Sequence, residues 1–241
     1  MSSHRPELHI TAQHGVLEAP AGALFTGEQW HVFHQYRSQP DVKKNNWGHV
    51  VSADTPFNWA HRDDVLSAEA PEVQVRAGSV VAPRCGDEAE LFFTSVTDEG
   101  PSIHRALLTN LSGPQSDVRR EGSVVDAPVL GIDKLQDFRS PCVVPGWADE
   151  DDRSEGHGGW LMLAVAGPMS APELVMLSSH DQQSWTLDGP LAFHGDSGLA
   201  HHPILVSPRI IRLRDEVDGH VYDVLIVTVE ADGVDLSGYL V

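Results

Sequence analysis

The stretch 22-GALFTGEQWHVFHQY-36 has the form of a strand, a turn around Gly27 and Glu28, and a second strand rich in aromatic and β-branched residues. Runs of this kind, bounded by Gly, Pro and Asp, indicate an antiparallel hairpin. The same layout returns in three further stretches, residues 78–96, 139–165 and 207–229, at a spacing of about sixty residues. Helical periodicity is hard to find, so the sequence predicts an all-β protein.

A second motif follows the first and third hairpins. It reads "SADTPFNW" at 52–59 and "SSHDQQSW" at 178–185, each with a Ser, an Asp and a closing Trp. Repeated units of about four strands predict a β-propeller, in which the blades are arranged radially. A β-sandwich whose hairpins resemble one another by chance is the alternative. Counting hairpins gives about four blades in a single domain, at roughly residues 14–60, 72–126, 137–190 and 203–241.

Charge and composition limit the partners. The chain of 241 residues has 35 acidic and 16 basic residues, a formal net charge of −19. This charge repels phosphate backbones and anionic lipid, so neither nucleic acid nor a membrane surface is an expected partner. The start, "MSSHRPELHI", lacks the features of a secretory signal, which predicts a cytoplasmic location. Cys85 and Cys142 lack zinc-ligand spacing, and two reduced, packed thiols are expected.

Ligand sites of propellers lie at the mouth of the central channel, where the innermost strand of each blade begins. In this chain those positions are "EAPAG" (18–22), "RAGS" (76–79), "DFRSP" (137–141) and "LVSP" (205–208). Any chemistry of the protein is expected there.

Several stretches together resemble glycoside hydrolase family 32, the β-fructofuranosidases. The resemblance runs from about Leu8 to Val241, and its most specific part is the element "WGHVVSADTPFNW" followed in order by "DFRSP". The stretches that carry it are residues 31–36, 47–59, 76–81, 137–141, 160–167 and 174–185.

The resemblance implies a five-bladed propeller, usually followed by a β-sandwich. With about four blades counted up to Val241, the chain is expected to be an incomplete propeller of this five-bladed type without a C-terminal sandwich. The family hydrolyses fructosides with retention, which requires a carboxylate nucleophile and a carboxylic acid about 5 Å apart. A third carboxylate holds the sugar hydroxyls.

The resemblance places other residues at all three carboxylate positions. The family motif Asn-Asp-Pro-Asn-Gly corresponds to residues 18–22, which puts Ala19 at the nucleophile position. Arg-Asp-Pro corresponds to 139–141 with Ser140 at the stabiliser, and Glu-Cys-Pro-Asp to 206–209 with Val206 at the acid. Loss of a nucleophile alone costs on the order of 10⁶ in kcat, so this resemblance predicts a catalytically degenerate protein.

Two acidic residues near these positions are the candidates for any remaining catalysis, Glu18 and Asp137. Successive strand side chains point to opposite faces, so Glu18 is expected to face away from Ala19 as a solvated or locally hydrogen-bonded carboxylate. The resemblance implies sugar-binding roles for four residues, Gln35, Trp47, Ser79 and Arg139. A purely structural interpretation is also open, in which Trp47 closes the blade and Arg139 pairs with Asp137 or a nearby loop carboxylate.

Histidine is frequent, with 14 residues, and the stretch 193-FHGDSGLAHHP-203 gathers several side chains that bind transition metals when they converge. The candidate ligands are His194, Asp196, His201 and His202. A loop lacks the fixed face of a helical His-x-x-x-His motif, so a mobile loop is expected, and neither a metal nor a cofactor is predicted.

Three functions remain open from the sequence. The first is a protein on a fructosidase scaffold that binds a small, fructoside-like carbohydrate without cleaving it. The second is an active glycosidase that uses non-standard acidic residues. The third is a structural or interaction protein that uses its open propeller edge, and this edge also predicts a homo-oligomer.

Overall fold

The computed structural model describes residues 9–12, 14–52, 58–82, 87–113, 115–124, 137–146, 158–168, 170–195, 197, 204–231 and 233–241. These residues group into two compact units, which lie within Met1–Glu99 with His104–Gly122 and within Gly100–Ile103 with Ser123–Val241. Every regular element in the described residues is a strand. No helix in this part of the chain has the length and apolar character that a membrane span requires.

The strands form four antiparallel sheets, in which neighbours in sequence are mostly neighbours in space. The first sheet contains β1 (Val16–Phe25), β2 (Trp30–Arg37), β3 (Asn46–Ser52), β4 (Ala60–His61) and β5 (Leu66–Ser67). The second contains β6 (Gln74–Val81), β7 (Glu88–Thr97), β8 (Gly100–Thr109) and β9 (Asp117–Ser123). The third contains β10 (Arg139–Pro145), β11 (Trp160–Ala166), β12 (Glu173–Ser179) and β13 (Thr186–Pro190). The fourth contains β14 (Ile204–Arg214), β15 (Val221–Ala231) and β16 (Val234–Leu240).

These sheets confirm the all-β prediction of about four blades. The turn between β1 and β2 closes with a backbone hydrogen bond from Thr26 N to Gln29 O at 3.0 Å, where the sequence predicts it. Among the described residues, the last sheet has three strands, whereas the other three have at least four. Most of the "SADTPFNW" motif, residues 53–57, lies outside the described residues.

The core of the first unit lies between its two sheets. Phe33 of β2 and Trp47 of β3 are completely buried against Leu91 and Phe93 of β7. The Trp47 and Phe93 rings meet edge to face, with centroids 6.3 Å apart. Aromatic pairs in this geometry add stability beyond their buried area, so the two blades of this unit are fixed against each other by large side chains.

The second unit repeats this arrangement with aliphatic residues. Leu163 and Val165 of β11 are fully buried against Leu205, Leu225 and Val227 of the last sheet. The sulfur of Cys142 on β10 accepts a hydrogen bond from Ile210 N at 3.4 Å. Cys142 is free and buried, as expected, and burial raises the pKa of its thiol. Cys85 lies outside the described residues.

Each first strand contains a β-bulge at a corresponding place. The register with the second strand shifts at one such place in each: Pro20/Gly22 in β1, Arg76/Ser79 in β6, Arg139/Cys142 in β10 and Val206/Arg209 in β14. β1 has a further shift at Leu17/Ala19. Bulges redirect side chains and are frequent next to active sites. The four predicted channel-mouth segments therefore each contain a register shift.

Local sequence explains these bulges. Ser140 and Ser207 each precede a proline and have positive φ values of 57° and 49°. Residues other than glycine rarely adopt such values. In β6 the bulge contains Gly78, and a Cβ atom at this position would lie 1.9 Å from the carbonyl oxygen of Phe92. Only glycine permits this close approach of two strands.

Candidate functional site

Glu18 is the extra residue of a second bulge in β1. Its neighbours Leu17 and Ala19 pair with Tyr36 and Gln35, which leaves Glu18 without a cross-strand partner. The bulge breaks the regular alternation assumed from the sequence. The carboxylate of Glu18 therefore reaches Gln35, the cross-strand partner of Ala19, rather than pointing away from it.

Three side chains donate hydrogen bonds to the Glu18 carboxylate. Arg37 Nε donates to Oε1, while Gln35 Nε2, at 2.5 Å, and Asn45 Nδ2 donate to Oε2. The Glu18 side chain is 21% exposed and Asn45 is buried. Both carboxylate oxygens are thus engaged by donors of the chain itself, one of them an arginine.

Gln35 extends this network to the second sheet. Its Oε1 accepts a hydrogen bond from Ala77 N, at 2.5 Å, inside the β6 bulge. The indole Nε1 of Trp47 donates to Arg76 O of the same bulge at 3.2 Å. Two of the four predicted sugar-binding residues therefore hold the β6 bulge in place.

The remaining two predicted sugar-binding residues are also largely buried. Ser79 ends the β6 bulge opposite Phe92. Arg139 begins β10, and its Nη1 donates to the carbonyl oxygens of Asp137, at 2.7 Å, and Gly167, at 2.8 Å. The Arg139 side chain therefore contacts the backbone carbonyl group of Asp137. Sugar-binding roles for Gln35, Trp47, Ser79 and Arg139 stay predictions, and each residue also has a structural task.

The residues at the three carboxylate positions of the resemblance lie beside bulges of first strands. Ala19 stands between the two register shifts of β1, Ser140 inside the shift of β10, and Val206 at the start of the shift in β14. All three are partly exposed. Asp137 precedes β10 with a positive φ of 59°.

The candidate metal loop is only partly described. His194 is exposed, while Asp196, His201 and His202 lie outside the described residues. Within the described ranges, no group of three or more His, Cys, Asp or Glu side chains is arranged to hold a metal ion.

A cluster of buried histidines on β2 and β3 was missed by the sequence analysis, which concentrated on residues 193–203. His31 Nδ1 lies 3.0 Å from His49 Nε2, and the His49 ring stacks on Phe33 with centroids 4.5 Å apart. Burial lowers the pKa of His34 to about 4 and that of His49 to about 3, and it also lowers that of His31. For His31 alone, its alternation with Phe33 on one face of β2 was an available signal.

We expect Glu18→Gln to reduce the free energy of unfolding by about 1–3 kcal/mol, because Gln35, Arg37 and Asn45 lose their shared charged acceptor. Glu28→Gln, in the exposed turn after β1, makes the same charge change and is expected to be neutral within about 0.5 kcal/mol. Urea unfolding of both variants measures the difference. Equal stability of the two variants would contradict a structural role for Glu18.

Comparison with protein families gives a match over nearly the whole chain. The model of the glycosyl hydrolases family 32 N-terminal domain matches residues 9–237. The chain belongs to glycoside hydrolase family 32. This confirms the resemblance carried by the "WGH" and "DFRSP" segments.

Curated relatives of this family 32 chain are longer enzymes. An invertase of Schizosaccharomyces pombe is 25% identical over 256 residues, covering 100% of this chain and 40% of that protein. A sucrose-6-phosphate hydrolase of Bacillus subtilis is 27% identical over 253 residues, covering 99% and 48%. This family 32 chain therefore spans less than half the length of these relatives.

Solved structures show the same fold. The β-fructofuranosidase of Schwanniomyces occidentalis, complexed with fructosyl-erythritol, matches with a TM-score of 0.75 at 18% identity, over 98% of this chain and 45% of that one. Fructan 1-exohydrolase IIa of Cichorium intybus matches with a TM-score of 0.71 at 19% identity, over 99% and 44%. At these identities the likeness establishes the propeller fold of the family 32 chain.

Proposed function

We propose that this family 32 protein binds a small fructoside-like carbohydrate beside the bulges of β1 and does not cleave it by the family's two-carboxylate mechanism. The observation that carries the proposal is the set of side chains at the positions where the resemblance places the family's three carboxylates. Ala19 has a methyl group there, Ser140 a hydroxyl group and Val206 an isopropyl group, whereas retaining hydrolysis requires a pair of carboxyl groups.

The hydrogen bonds that Glu18 accepts support the absence of turnover. A nucleophilic carboxylate must present an oxygen to the anomeric carbon of the sugar. Both oxygens of Glu18 instead accept hydrogen bonds from neighbouring side chains, with Arg37 compensating the charge. In this proposal Glu18 maintains the shape of the β1 bulge.

The bulges support ligand binding. Each of the four first strands contains a register shift at a corresponding place, and two of these strands have a serine with positive φ before a proline. Such backbone features cost free energy and persist where the surroundings enforce them. Related structures, such as the Schwanniomyces occidentalis enzyme with fructosyl-erythritol, contain bound fructosides on the same fold.

A thermal-shift experiment tests binding. The protein is heated with increasing sucrose, sucrose 6-phosphate, inulin or levan, and at least one of them is expected to raise Tm. A ligand at 100 times its Kd adds about 2.7 kcal/mol to the free energy of unfolding. Absence of a shift with all four sugars would contradict the proposal.

A pair of variants on β1 locates the site. Ala19→Trp is expected to abolish the shift because the indole fills the space beside the bulge. Ala23→Trp, on an exposed position of the same strand, is expected to keep it. If both variants respond to sugar like the parent protein, the ligand does not bind at the β1 bulge.

A further inference from the structure

The motif 178-SSHDQQSW-185 connects β12 to β13 and holds a carboxylate in a fixed orientation. Asp181 Oδ1 accepts hydrogen bonds from the backbone N–H groups of Ser184 and Gln183, each at 2.8 Å, and from Ser179 Oγ at 3.2 Å. The backbone hydrogen bonds from Ser184 and Gln183 lower the pKa of Asp181. The Asp181 side chain is therefore a charged acceptor whose position is set by the backbone of its own turn.

This turn forms one side of a cavity of about 360 Å³ at one end of the third sheet. All four strands of the sheet reach the cavity: Gly146 follows β10, Trp160 begins β11, Ser179 ends β12 and Thr186 begins β13. Ligand pockets of proteins have volumes from about 300 Å³ upwards. The Arg139/Cys142 bulge lies at the other end of β10, so the cavity is separate from the predicted channel-mouth segment of this sheet.

The cavity wall offers several polar groups that have no partner in the protein. Within the described part of the chain, hydrogen bonds engage neither Asp181 Oδ2 nor the side chains of His180, Ser184 and Thr186. All of these residues line the cavity together with Trp160. The wall therefore combines a fixed acceptor, two hydroxyl groups, an imidazole and an aromatic residue.

The charge of the wall favours a neutral ligand over an anion. None of the residues that line the cavity in the described ranges is Lys or Arg, and the Asp181 carboxylate repels phosphate. Sugar hydroxyls donate strong hydrogen bonds to a carboxylate, and the C–H face of a flat pyranose ring packs on an aromatic side chain. A neutral pyranose such as glucose thus matches both parts of the wall.

We propose that this cavity is a second carbohydrate site, which binds a neutral pyranose independently of the fructoside site beside the bulges of β1. Asp181 Oδ2 accepts hydrogen bonds from adjacent sugar hydroxyls, Ser184 and Thr186 bind further hydroxyls, and the ring lies against Trp160. Because a single ring makes few contacts, we expect a Kd of about 1–10 mM. A site of this affinity changes Tm only at sugar concentrations near or above its Kd.

Nuclear magnetic resonance of the indole N–H groups tests this site. The chain has six tryptophans, and the signal that disappears in Trp160→Phe identifies Trp160. Titration with methyl β-glucopyranoside, which contains no fructosyl group, to about 50 mM is expected to shift this signal along a saturating curve. Sorbitol, which has no ring, and the anion glucose 6-phosphate are expected to shift it much less. A signal that stays in place, or that moves equally with all three compounds, would overturn the proposal.

Two variants of the wall and one control locate the ligand. Asp181→Asn keeps an Oδ1 acceptor for the turn, removes the charge and is expected to raise Kd at least tenfold. Ser184→Ala removes only an exposed hydroxyl, leaves the hydrogen bonds of the turn in place and is expected to raise Kd about threefold. Glu173→Gln makes the same charge change at the exposed start of β12, at the other end of this strand, and is expected to keep the parent Kd. Parent affinity in both Asp181→Asn and Ser184→Ala would overturn the proposal.

Ala19→Trp separates this site from the fructoside site. The substitution lies on β1, outside the cavity, and is expected to leave the titration of the Trp160 signal unchanged. A fructoside site that fails its thermal-shift test therefore leaves the titration of Trp160 as an independent result. If Ala19→Trp abolishes the response of the Trp160 signal, the pyranose does not bind in this cavity and the proposal is wrong.

Discussion

Lowering the pH from about 7.5 to about 5 is expected to reduce the free energy of unfolding by about 4 kcal/mol. The cause is the buried histidine cluster, in which burial lowers the pKa of His34 to about 4 and that of His49 to about 3. The neighbours of the two imidazoles add to this effect, because His61 faces His34, and His31 and Arg62 face His49.

The sign follows from proton uptake by the unfolded chain. An exposed histidine has a pKa of about 6.5, so below this pH the unfolded state binds protons that the folded state does not. Stability is therefore retained above pH 6.5, falls as the pH decreases through 6.5, and levels off below the folded pKa values of about 4 and about 3. Each of the two histidines contributes on the order of 2 kcal/mol at pH 5.

Urea unfolding of the parent and of His34→Gln at both pH values measures this effect. The glutamine variant is expected to lose about half of the difference in unfolding free energy between the two pH values. His180→Gln, at an exposed position, is expected to keep all of it. If stability is the same at pH 5 and pH 7.5, the histidines do not remain neutral in the folded protein.

Arg120→Met is expected to destabilise the protein by about 3–5 kcal/mol. Arg120 Nη1 donates to both carboxylate oxygens of Glu72, each at 2.8 Å, and Glu72 is 8% exposed. Ser95 Oγ also donates to this carboxylate, at 2.7 Å. Removal of the guanidinium leaves a buried negative charge without its cation, which costs more than loss of a surface ion pair.

The neighbouring arginine provides a matched control for this variant. Arg119 is 72% exposed and pairs with Glu121 on the surface, so Arg119→Met is expected to cost less than about 1 kcal/mol. The double variant Arg120→Met, Glu72→Gln is expected to recover part of the loss because the buried charge is gone. Similar unfolding midpoints for the Arg119 and Arg120 variants would contradict this account.

The hairpins of the fold could be predicted because their signal is local. A run of aromatic and β-branched residues such as Trp30, Val32 and Phe33 marks the second strand, and the turn at Thr26–Gln29 separates it from the first. The Trp47 side chain was predicted either to bind sugar or to close the blade, and its complete burial gives it a packing role.

The environment of Glu18 could not be predicted in the same way. Its position depends on a one-residue register shift between β1 and β2, and such a shift reverses the facing of the side chains around it. Arg37 and Asn45 were missed for this reason, since their contact with Glu18 requires the folded register. The buried histidines lie on both faces of β2, His31 on one and His34 on the other, so that their burial depends on what packs against each face in the folded protein.

Release of fructose is the most direct measurement of whether the protein cleaves fructosides. The purified protein, at high concentration, is incubated with sucrose, sucrose 6-phosphate, inulin and levan, and free fructose is followed over time. Our account predicts no release above the uncatalysed rate, because Ala19, Ser140 and Val206 carry no carboxylate. Release that is abolished by Glu18→Gln or Asp137→Asn would contradict it and assign the cleavage to one of these acids.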